Sequence, residues 1–272
     1  MGQKYQRSFL KWPGSKFTLL SRLFKSTPKS GDTLIESFAG SCTFAINTNY
    51  KNYIINDFNA DLIEIFKLVV ADPLHFIESA KILFTPENNN AESYYKIRTK
   101  YNSSTNASER ALYLLYLNKH GYNGLMRYNK SGGFNVPFGK YKKPRLNEQA
   151  IMFFSDKFKN ALFLSGDFEA AMNLATPNSV VFSDPPYFPL NKTSNFVGYT
   201  GSGFDIGDQK RLNAASIKCK NIGARAFVCN HNVPLTHQTY SDATTSVNFL
   251  VKRSIAADKT KRKRAKETFL IY

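Results

Sequence analysis

Short apolar runs alternate with amphipathic segments along most of the chain. Five of these runs predict buried strands, because they are rich in aliphatic and aromatic residues and end at polar or glycine-containing turns. They lie at 33–38, 53–56, 161–165, 180–183 and 225–229. Two later runs, 246–251 and 268–272, are joined by a basic segment and predict a hairpin. Strands that alternate with helices indicate an α/β fold with a mainly parallel sheet.

Helical periodicity occurs in two regions of the chain. In the N-terminal region this periodicity predicts helices at 17–25 and 61–70, and a helix that follows the turn at 40–43 and runs through Asn47. From about residue 61 to 147 helical patterns dominate, at 94–101 and 109–119, and a Gly/Asn/Tyr-rich hairpin follows at about 120–144. We therefore predict a discontinuous α/β domain, 1–60 and 148–272, interrupted by a helical insertion at 61–147 that carries the hairpin.

The charge of the chain favours a polyanionic partner. It has 37 Lys and Arg against 20 Asp and Glu, a net charge of +17 and a pI near 9.7. Nucleic acid is the simplest such partner, although many proteins are basic without binding it. The runs 119–145 and 252–266 are the most basic, and both could contact phosphates. The second run could equally be a solvated loop.

Other features of the composition argue against several classes of protein. Three cysteines without short spacing (Cys42, Cys219 and Cys229) argue against a disulfide scaffold and against zinc, so we expect no metal. No apolar run approaches membrane-spanning length, and the N-terminus lacks a signal-peptide core. We therefore expect a cytoplasmic protein without membrane contact, and no obligate protein partner is evident.

The segment Asp184-Pro185-Pro186-Tyr187 carries the clearest chemistry. Prolines cannot continue a ladder, and the first one favours an extended backbone at Asp184. A carboxylate, a backbone carbonyl and an aromatic face then share one small volume. Two acceptors and a ring suit a flat base with an exocyclic amine. These four residues are the predicted catalytic residues, whereas an Asp-Pro pair alone would indicate only a turn.

Other strand ends carry groups that suit a small ligand, which in open α/β sheets binds at the carboxyl ends of strands. Phe38 and Gly40 follow the first strand, and Asp57 ends the second at a spacing that suits a ribose diol. Asp167 and Phe168 follow the third, where they could hold an adenine ring.

Two residues near the N-terminus extend this set. Trp12 could form an aromatic wall beside a sulfonium cation, and Lys16 could pair with a carboxylate. Core packing of Trp12 and solvation of Lys16 are the alternative interpretations.

Taken in order, these motifs resemble the Dam-type DNA adenine-N6 methyltransferases of the D12 class. The resemblance covers Phe9 to Tyr272 and includes Trp-x-Gly-x-Lys at 12–16, Phe-x-Gly at 38–40 and two hairpin segments, 121–129 and 134–144. It implies a Rossmann-like methyltransferase sheet with an inserted target-recognition domain. It also implies S-adenosylmethionine as cofactor and transfer of a methyl group to a flipped adenine in double-stranded DNA, usually within GATC.

The resemblance also implies residue roles. S-adenosylmethionine would contact Trp12, Lys16, Asp57 and Asp184, in a site lined by Phe38, Gly40 and Phe168. Bases would be read by Lys11, Leu125, Arg127 and Pro137, and the stack would be entered by Tyr122 and Asn123. Tyr141 would help replace the extruded adenine, and Lys140 stands where the family commonly has arginine.

Two departures from the pattern of the family leave alternative functions open. Ser15 and Cys42 stand where the family favours glycine, so we expect a tightened cofactor pocket. A DNA-binding protein that has lost its cofactor is one alternative. An enzyme that acts on RNA or on a protein glutamine is another, but the basic hairpin favours DNA.

Overall fold

The computed structural model describes residues 4–190, 203–252 and 264–272. The described residues fall into two compact units. Unit 1 combines Met1–Leu20, Gly40–Thr48 and Asp57–Gly166, and unit 2 combines Ser21–Ala39, Asn49–Asn56 and Asp167–Tyr272. Unit 1 therefore contains the whole predicted insertion, 61–147, whose role as a separate DNA-binding domain stays a prediction.

Within the described residues, seven strands form one sheet in the order β3-β2-β1-β4-β5-β7-β6. Their bounds are β1 (Ser30–Glu36), β2 (Asn49–Asp57), β3 (Leu162–Ser165), β4 (Ser179–Ser183), β5 (Arg225–His231), β6 (Thr245–Lys252) and β7 (Arg264–Ile271). β1 pairs in parallel with β2 and β4, and β4 pairs in parallel with β5. β7 is antiparallel to both β5 and β6. The predicted α/β class and C-terminal hairpin are confirmed.

The register of unit 2 aligns the ends of its central strands. Leu34 of β1 lies opposite Val180 of β4, and every residue of β4 is buried. At the carboxyl ends, the backbone N–H of Ser37 donates to the Phe182 carbonyl at 3.2 Å. The hydroxyls of Ser37 and Ser183 lie 2.7 Å apart. The residues that follow β1 and β4 therefore leave the sheet side by side.

Unit 1 is mainly helical, and side-chain caps define where its helices begin. The helices are α2 (Ala60–Ala71), α3 (Pro73–Lys81), α4 (Ala91–Ser103), α5 (Ala107–His120) and α6 (Glu148–Phe158). Each is preceded by an Asn or Asp whose side chain accepts a backbone N–H of the first turn. Such caps satisfy amides that have no partner inside the helix. The helices predicted at 61–70, 94–101 and 109–119 are confirmed.

After α6, the described residues of unit 2 form three more α-helices. They are α7 (Phe168–Met172), α8 (Ile206–Asn221) and α9 (Pro234–Thr239). A capping box of Asp205 and Asp208 begins α8. Among the described residues, no helix combines the length and the apolar content that a bilayer crossing requires.

Two predicted helices near the N-terminus are wrong or shortened. The helix predicted at 17–25 is a 3₁₀ turn, Lys16–Leu19, followed by one α-helical turn, α1 (Leu20–Leu23). The helix predicted to run through Asn47 is only a 3₁₀ turn, Ala45–Asn47. Cys42 is left-handed, with a φ of 54°, and Thr48 is already extended, so the five residues at 43–47 leave room for only a short turn.

The predicted hairpin at about 120–144 has two arms joined by isolated antiparallel bridges, Gly121 with Phe138 and Tyr128 with Phe134. A continuous ladder of hydrogen bonds is interrupted because Asn123 and Gly124 are left-handed and Pro137 has no N–H donor.

Most of the basic run at 252–266, which the sequence analysis considered as a phosphate contact, lies outside the described residues.

An aromatic cluster forms the core of unit 1. Phe154 of α6 is fully buried and packs against Phe9, Phe66 and Phe158 with centroid distances of 5.2, 4.8 and 4.6 Å. The neighbouring Phe153 points outward and is 41% exposed.

We predict that Phe154→Ala lowers the free energy of unfolding by about 3–5 kcal/mol, because it removes a buried ring and leaves a cavity. Urea denaturation of purified variants measures the loss. The matched control Phe153→Ala, one residue away on the same helix, should lose less than about 1 kcal/mol. Equal losses in the two variants would contradict the core position of Phe154.

Candidate active site

Asp57 is held at the end of β2 by backbone amides of unit 1. One carboxylate oxygen accepts the N–H of Gly40 at 2.8 Å, and the other accepts the N–H of Asn59 at 2.9 Å. Burial raises the pKa of Asp57, and these two hydrogen bonds oppose the rise. Each carboxylate oxygen has a second lone pair, so Asp57 can still accept two hydroxyl donors.

Trp12 and Lys16 lie on either side of the Gly14 turn. The indole of Trp12 packs so closely on Gly40 that a Cβ there would lie 2.7 Å from the ring. Only glycine fits this contact, and its φ of 47° also favours glycine. Lys16 is buried, and its ammonium donates to the Gly14 carbonyl at 2.7 Å. The structure therefore brings the predicted residues Trp12, Gly40 and Asp57 together.

The two departures from glycine are accommodated differently. Cys42 is fully buried with a φ of 54°, a conformation that strains a residue with a Cβ. Ser15 has its hydroxyl 2.9 Å from that of Thr43.

Phe38 and Phe168 belong to an aromatic cluster in unit 2. Their rings stack with centroids 5.3 Å apart, and Phe204 packs edge-on against both. The guanidinium of Arg211 lies 5.1 Å above Phe168 and forms an ion pair with Asp167 at 2.9 Å. Phe168 is thus a buried member of this cluster, and the Asp167 carboxylate is already paired.

Tyr187 directs its hydroxyl toward two carboxylates of unit 2. The hydroxyl lies 3.5 Å from the Glu267 carboxylate and also hydrogen-bonds to Asp184. Burial, followed by the negative charge of Asp184, raises the pKa of Tyr187 well above 10. The edge of the His231 ring meets the Tyr187 ring at a centroid distance of 4.9 Å. The phenol is therefore protonated at neutral pH and acts as a donor toward these acids.

The backbone on either side of Tyr187 is held by buried side chains from α8 and β5. Gln209 donates its amide to the Pro186 carbonyl at 2.7 Å. Asn230 accepts the N–H of Phe188 at 3.0 Å, and its own amide donates to Gln209 at 3.0 Å. The Nδ1 of His231 lies 2.6 Å from the Phe188 carbonyl, so that nitrogen carries the proton. Side chains thus replace the ladder that the prolines prevent.

Lys11 is fixed against α5 in unit 1. Its backbone N–H donates to the Asn118 side chain at 2.9 Å, and the Asn118 amide donates back to the Lys11 carbonyl at 2.6 Å. The ammonium donates to the Lys119 carbonyl and lies 3.9 Å above the Tyr141 ring. Three predicted DNA-contacting residues meet here, since the Tyr141 hydroxyl also accepts the N–H of Asn123 at 2.9 Å.

The fork of Arg127 is oriented by one neighbour. Its Nε donates to the Asn135 side chain at 2.7 Å, and one terminal nitrogen donates to the Asn135 carbonyl at 3.0 Å. The guanidinium is exposed, and so are several other predicted DNA-contacting residues. These are Tyr122, Asn123, Pro137 and Lys140, whereas Leu125 is half-buried.

Two ionisable groups at the end of α5 have lowered pKa values. Burial, helped by the charge of Lys11, lowers the pKa of Lys119 to about 8. Burial also lowers the pKa of His120 to about 4, and its ring stacks on Tyr116 at 3.8 Å. His120 is therefore neutral at pH 7, and the hydrogen bond of its Nδ1 to the Tyr116 carbonyl orients the ring.

Several residues of these sites were not predicted from the sequence. Gln209, Asn230 and Asn135 are amides whose partners lie far along the chain or across a turn. The sequence holds no local signal for two of these contacts, because Gln209 lies 23 residues from Pro186 and Asn230 lies 42 residues from Phe188.

Comparisons with known proteins show which family the chain belongs to. The family model of the D12 class N6 adenine-specific DNA methyltransferases matches residues 12–255. A DNA adenine methylase of Vibrio cholerae serotype O1 is 38% identical over 270 residues, which cover 99% of this chain and 97% of that protein. The DNA adenine methylases of Escherichia coli strain K12 and Serratia marcescens are each 39% identical, over 99% of this chain and 96% and 99% of their own lengths.

The Rossmann-like sheet and the match to the family model define the class of protein as a methyltransferase. The chain belongs to the D12 class of N6 adenine-specific DNA methyltransferases. Its reaction is the methylation of adenine in DNA, and DNA is its substrate.

We predict that Gln209→Met lowers kcat by about 10- to 100-fold, because the Pro186 carbonyl loses its buried donor and the loop shifts. The affinity for DNA, measured by fluorescence anisotropy, should stay within about twofold. The control Gln238→Met alters an exposed glutamine and should leave both quantities unchanged. An unchanged kcat in Gln209→Met would show that the loop keeps its geometry without this anchor.

Proposed function

We propose that the protein transfers a methyl group from S-adenosylmethionine to N6 of an adenine that is flipped out of duplex DNA, within GATC. Residues 61–147 would contact the DNA. The observation that carries this proposal is the Asp-Pro-Pro-Tyr loop, whose backbone is fixed by Gln209 and Asn230. The choice of GATC follows from the resemblance of the hairpin segments to the DNA-reading hairpin of the family.

The proposed chemistry has to activate the exocyclic amine of adenine, which is a poor nucleophile. The lone pair of an aromatic amine is delocalised into the base, so it must be freed before it can attack. The Asp184 carboxylate and the Pro185 carbonyl would accept the two amine hydrogens and favour a pyramidal nitrogen. Such positioning and fixed charge supply most of the rate enhancement. The amine becomes acidic once the methyl is attached, and Asp184 would then pass its proton to water.

Tyr187 has two proposed tasks. Its protonated hydroxyl donates toward Asp184 and Glu267, which keeps the ring in one orientation. A fixed ring offers a face on which the flipped adenine stacks. Stacking offsets the cost of unstacking the base from the duplex, which is roughly a few kcal/mol.

The residues of unit 1 fit the chemistry of the cofactor. When bound, S-adenosylmethionine supplies an electrophilic methyl, and the bond from N6 to this carbon forms as the bond from sulfur to carbon breaks. Asp57 has lone pairs left for a ribose diol, and Trp12 provides an aromatic face for a cation. Lys16 would bind the carboxylate, and Gly40 would line the site. The resemblance to the family gives a cofactor role to Phe38, Phe168 and Asp184 of unit 2 as well.

Base recognition is assigned to the hairpin. Arg127 has donors beyond those that bind Asn135, and a guanidinium fork matches guanine O6 and N7. Lys11, Leu125 and Pro137 would contact other bases, and Tyr122 and Asn123 would enter the stack. Tyr141 would help replace the adenine, and Lys140 would act as a point charge.

We predict that Asp184→Ala abolishes methyl transfer, because the amine loses its charged acceptor. Transfer of labelled methyl from S-adenosylmethionine measures the loss, and DNA affinity should stay within about threefold. Asp156→Ala, which alters an exposed acid of α6, is the matched control and should retain full activity. Normal turnover in Asp184→Ala would refute the proposed mechanism.

We predict that Arg127→Ala reduces discrimination against a substituted guanine by about 1–3 kcal/mol, because the fork to that base is lost. The measurement compares kcat/KM on GATC and on a duplex with that guanine replaced. Lys142→Ala should instead weaken binding to all duplexes equally. If both variants lose affinity uniformly, Arg127 does not read a base.

A further inference from the structure

A line of hydrogen bonds within unit 1 joins Asp57 to the loop that carries Arg127. Asn59, two residues after Asp57, donates its backbone N–H to the Asp57 carboxylate at 2.9 Å. Its side-chain oxygen caps α2 by accepting the N–H of Leu62 at 3.1 Å. Its side-chain amide donates to the hydroxyl of Tyr128 at 3.2 Å. Asn59 is thus bonded at once to the acid, to a helix and to the hairpin.

From Tyr128 the line of hydrogen bonds continues through Tyr101 to the carboxylate of Asp61. Tyr101 donates its hydroxyl to Asp61 at 2.5 Å, and Arg110 binds the same carboxylate through two nitrogens at 2.9 and 2.6 Å. The only hydroxyl proton of Tyr101 is therefore used. Since the hydroxyls of Tyr101 and Tyr128 are 3.2 Å apart, Tyr128 must be the donor between them. Aligned donors of this kind strengthen one another.

Tyr128 also fixes the hairpin next to the base-reading residue. It forms the bridge with Phe134, and the two rings meet edge-on at 5.6 Å. Its neighbour Arg127 accepts the N–H of Asn135 at 3.1 Å through its carbonyl, and the Asn135 side chain holds its guanidinium. Because one peptide bond joins Tyr128 to Arg127, the contacts that position Tyr128 also bear on the position of Arg127.

We propose that Asn59 and Tyr128 are positioning residues that couple cofactor binding at Asp57 to base recognition by Arg127. The inference rests on the proposed function for the roles of the two ends. A ligand that orders this line reduces the entropy cost that the second ligand must meet. Each ligand therefore raises the affinity of the other by the same factor, as linkage requires.

The hydrogen bond between Asn59 and Tyr128 can be removed without removing the helix cap and the ring packing that stabilise the fold. The cap of α2 uses only the oxygen of the Asn59 side chain, and serine caps a helix about as well. The packing of Tyr128 on Phe134 uses only the ring. Tyr128→Phe and Asn59→Ser therefore break the same link from opposite sides while they keep the cap and the ring contact, and Tyr128→Phe also removes the hydrogen bond to Tyr101.

The test is the affinity of S-adenosylhomocysteine, a probe that cannot transfer a methyl group. Isothermal titration calorimetry measures its Kd with and without a saturating GATC duplex, and the ratio is the coupling factor. We expect a factor of about 5 or more in the wild-type protein and a factor within about twofold of 1 in Tyr128→Phe and in Asn59→Ser. The double variant should lose nothing further, because both changes break one link.

A matched control removes a different buried hydroxyl of the same unit. Tyr116 donates to the Asn88 carbonyl at 2.5 Å, outside the line, so Tyr116→Phe should keep the wild-type coupling factor. A wild-type factor of 1, an unchanged factor in both link variants, or an equal loss in Tyr116→Phe would overturn the inference. Failure of the wild-type protein to bind the probe or to methylate DNA would instead refute the proposed function.

Discussion

The geometry of the proposed catalytic loop depends on side chains that hold its backbone where the sheet pairing ends. After β4, Pro185 and Pro186 have no N–H to give to a neighbouring strand, yet the carbonyls beside them must point in fixed directions. Gln209 and Asn230 supply the missing partners from α8 and β5, and both are almost fully buried. The parallel pairing of β4 with β5 therefore determines where the loop can lie.

Amide side chains have the same task elsewhere in the described chain. Asn118 holds the backbone of Lys11, Asn135 holds the fork of Arg127, and the Asn59 side chain joins the start of α2 to Tyr128 of the hairpin. Each amide offers both a donor and an acceptor, so it can satisfy a backbone N–H and a carbonyl, or join two different elements. Loops that carry chemistry are thus fixed without helical or sheet pairing.

The sheet and most helices could be predicted because their signals are local. Apolar runs such as 180–183 and caps such as Asn106 lie within the element they define. The helix expected to run through Asn47 is only a 3₁₀ turn because few residues separate the left-handed Cys42 from the extended Thr48, and neither residue type indicates its backbone conformation. Gln209 and Asn230 could not be found for another reason. Their partners lie 23 and 42 residues away, and only the fold brings them together.

The most direct test of the account is methyl transfer by the wild-type protein to two duplexes, one with GATC and one with that site scrambled. Labelled S-adenosylmethionine is the donor, and the product is identified as N6-methyladenine by mass spectrometry. The account predicts label in the GATC duplex alone. Label in both duplexes would contradict the base-reading role of the hairpin, and label in neither, with DNA still bound, would contradict the catalytic role of the Asp-Pro-Pro-Tyr loop.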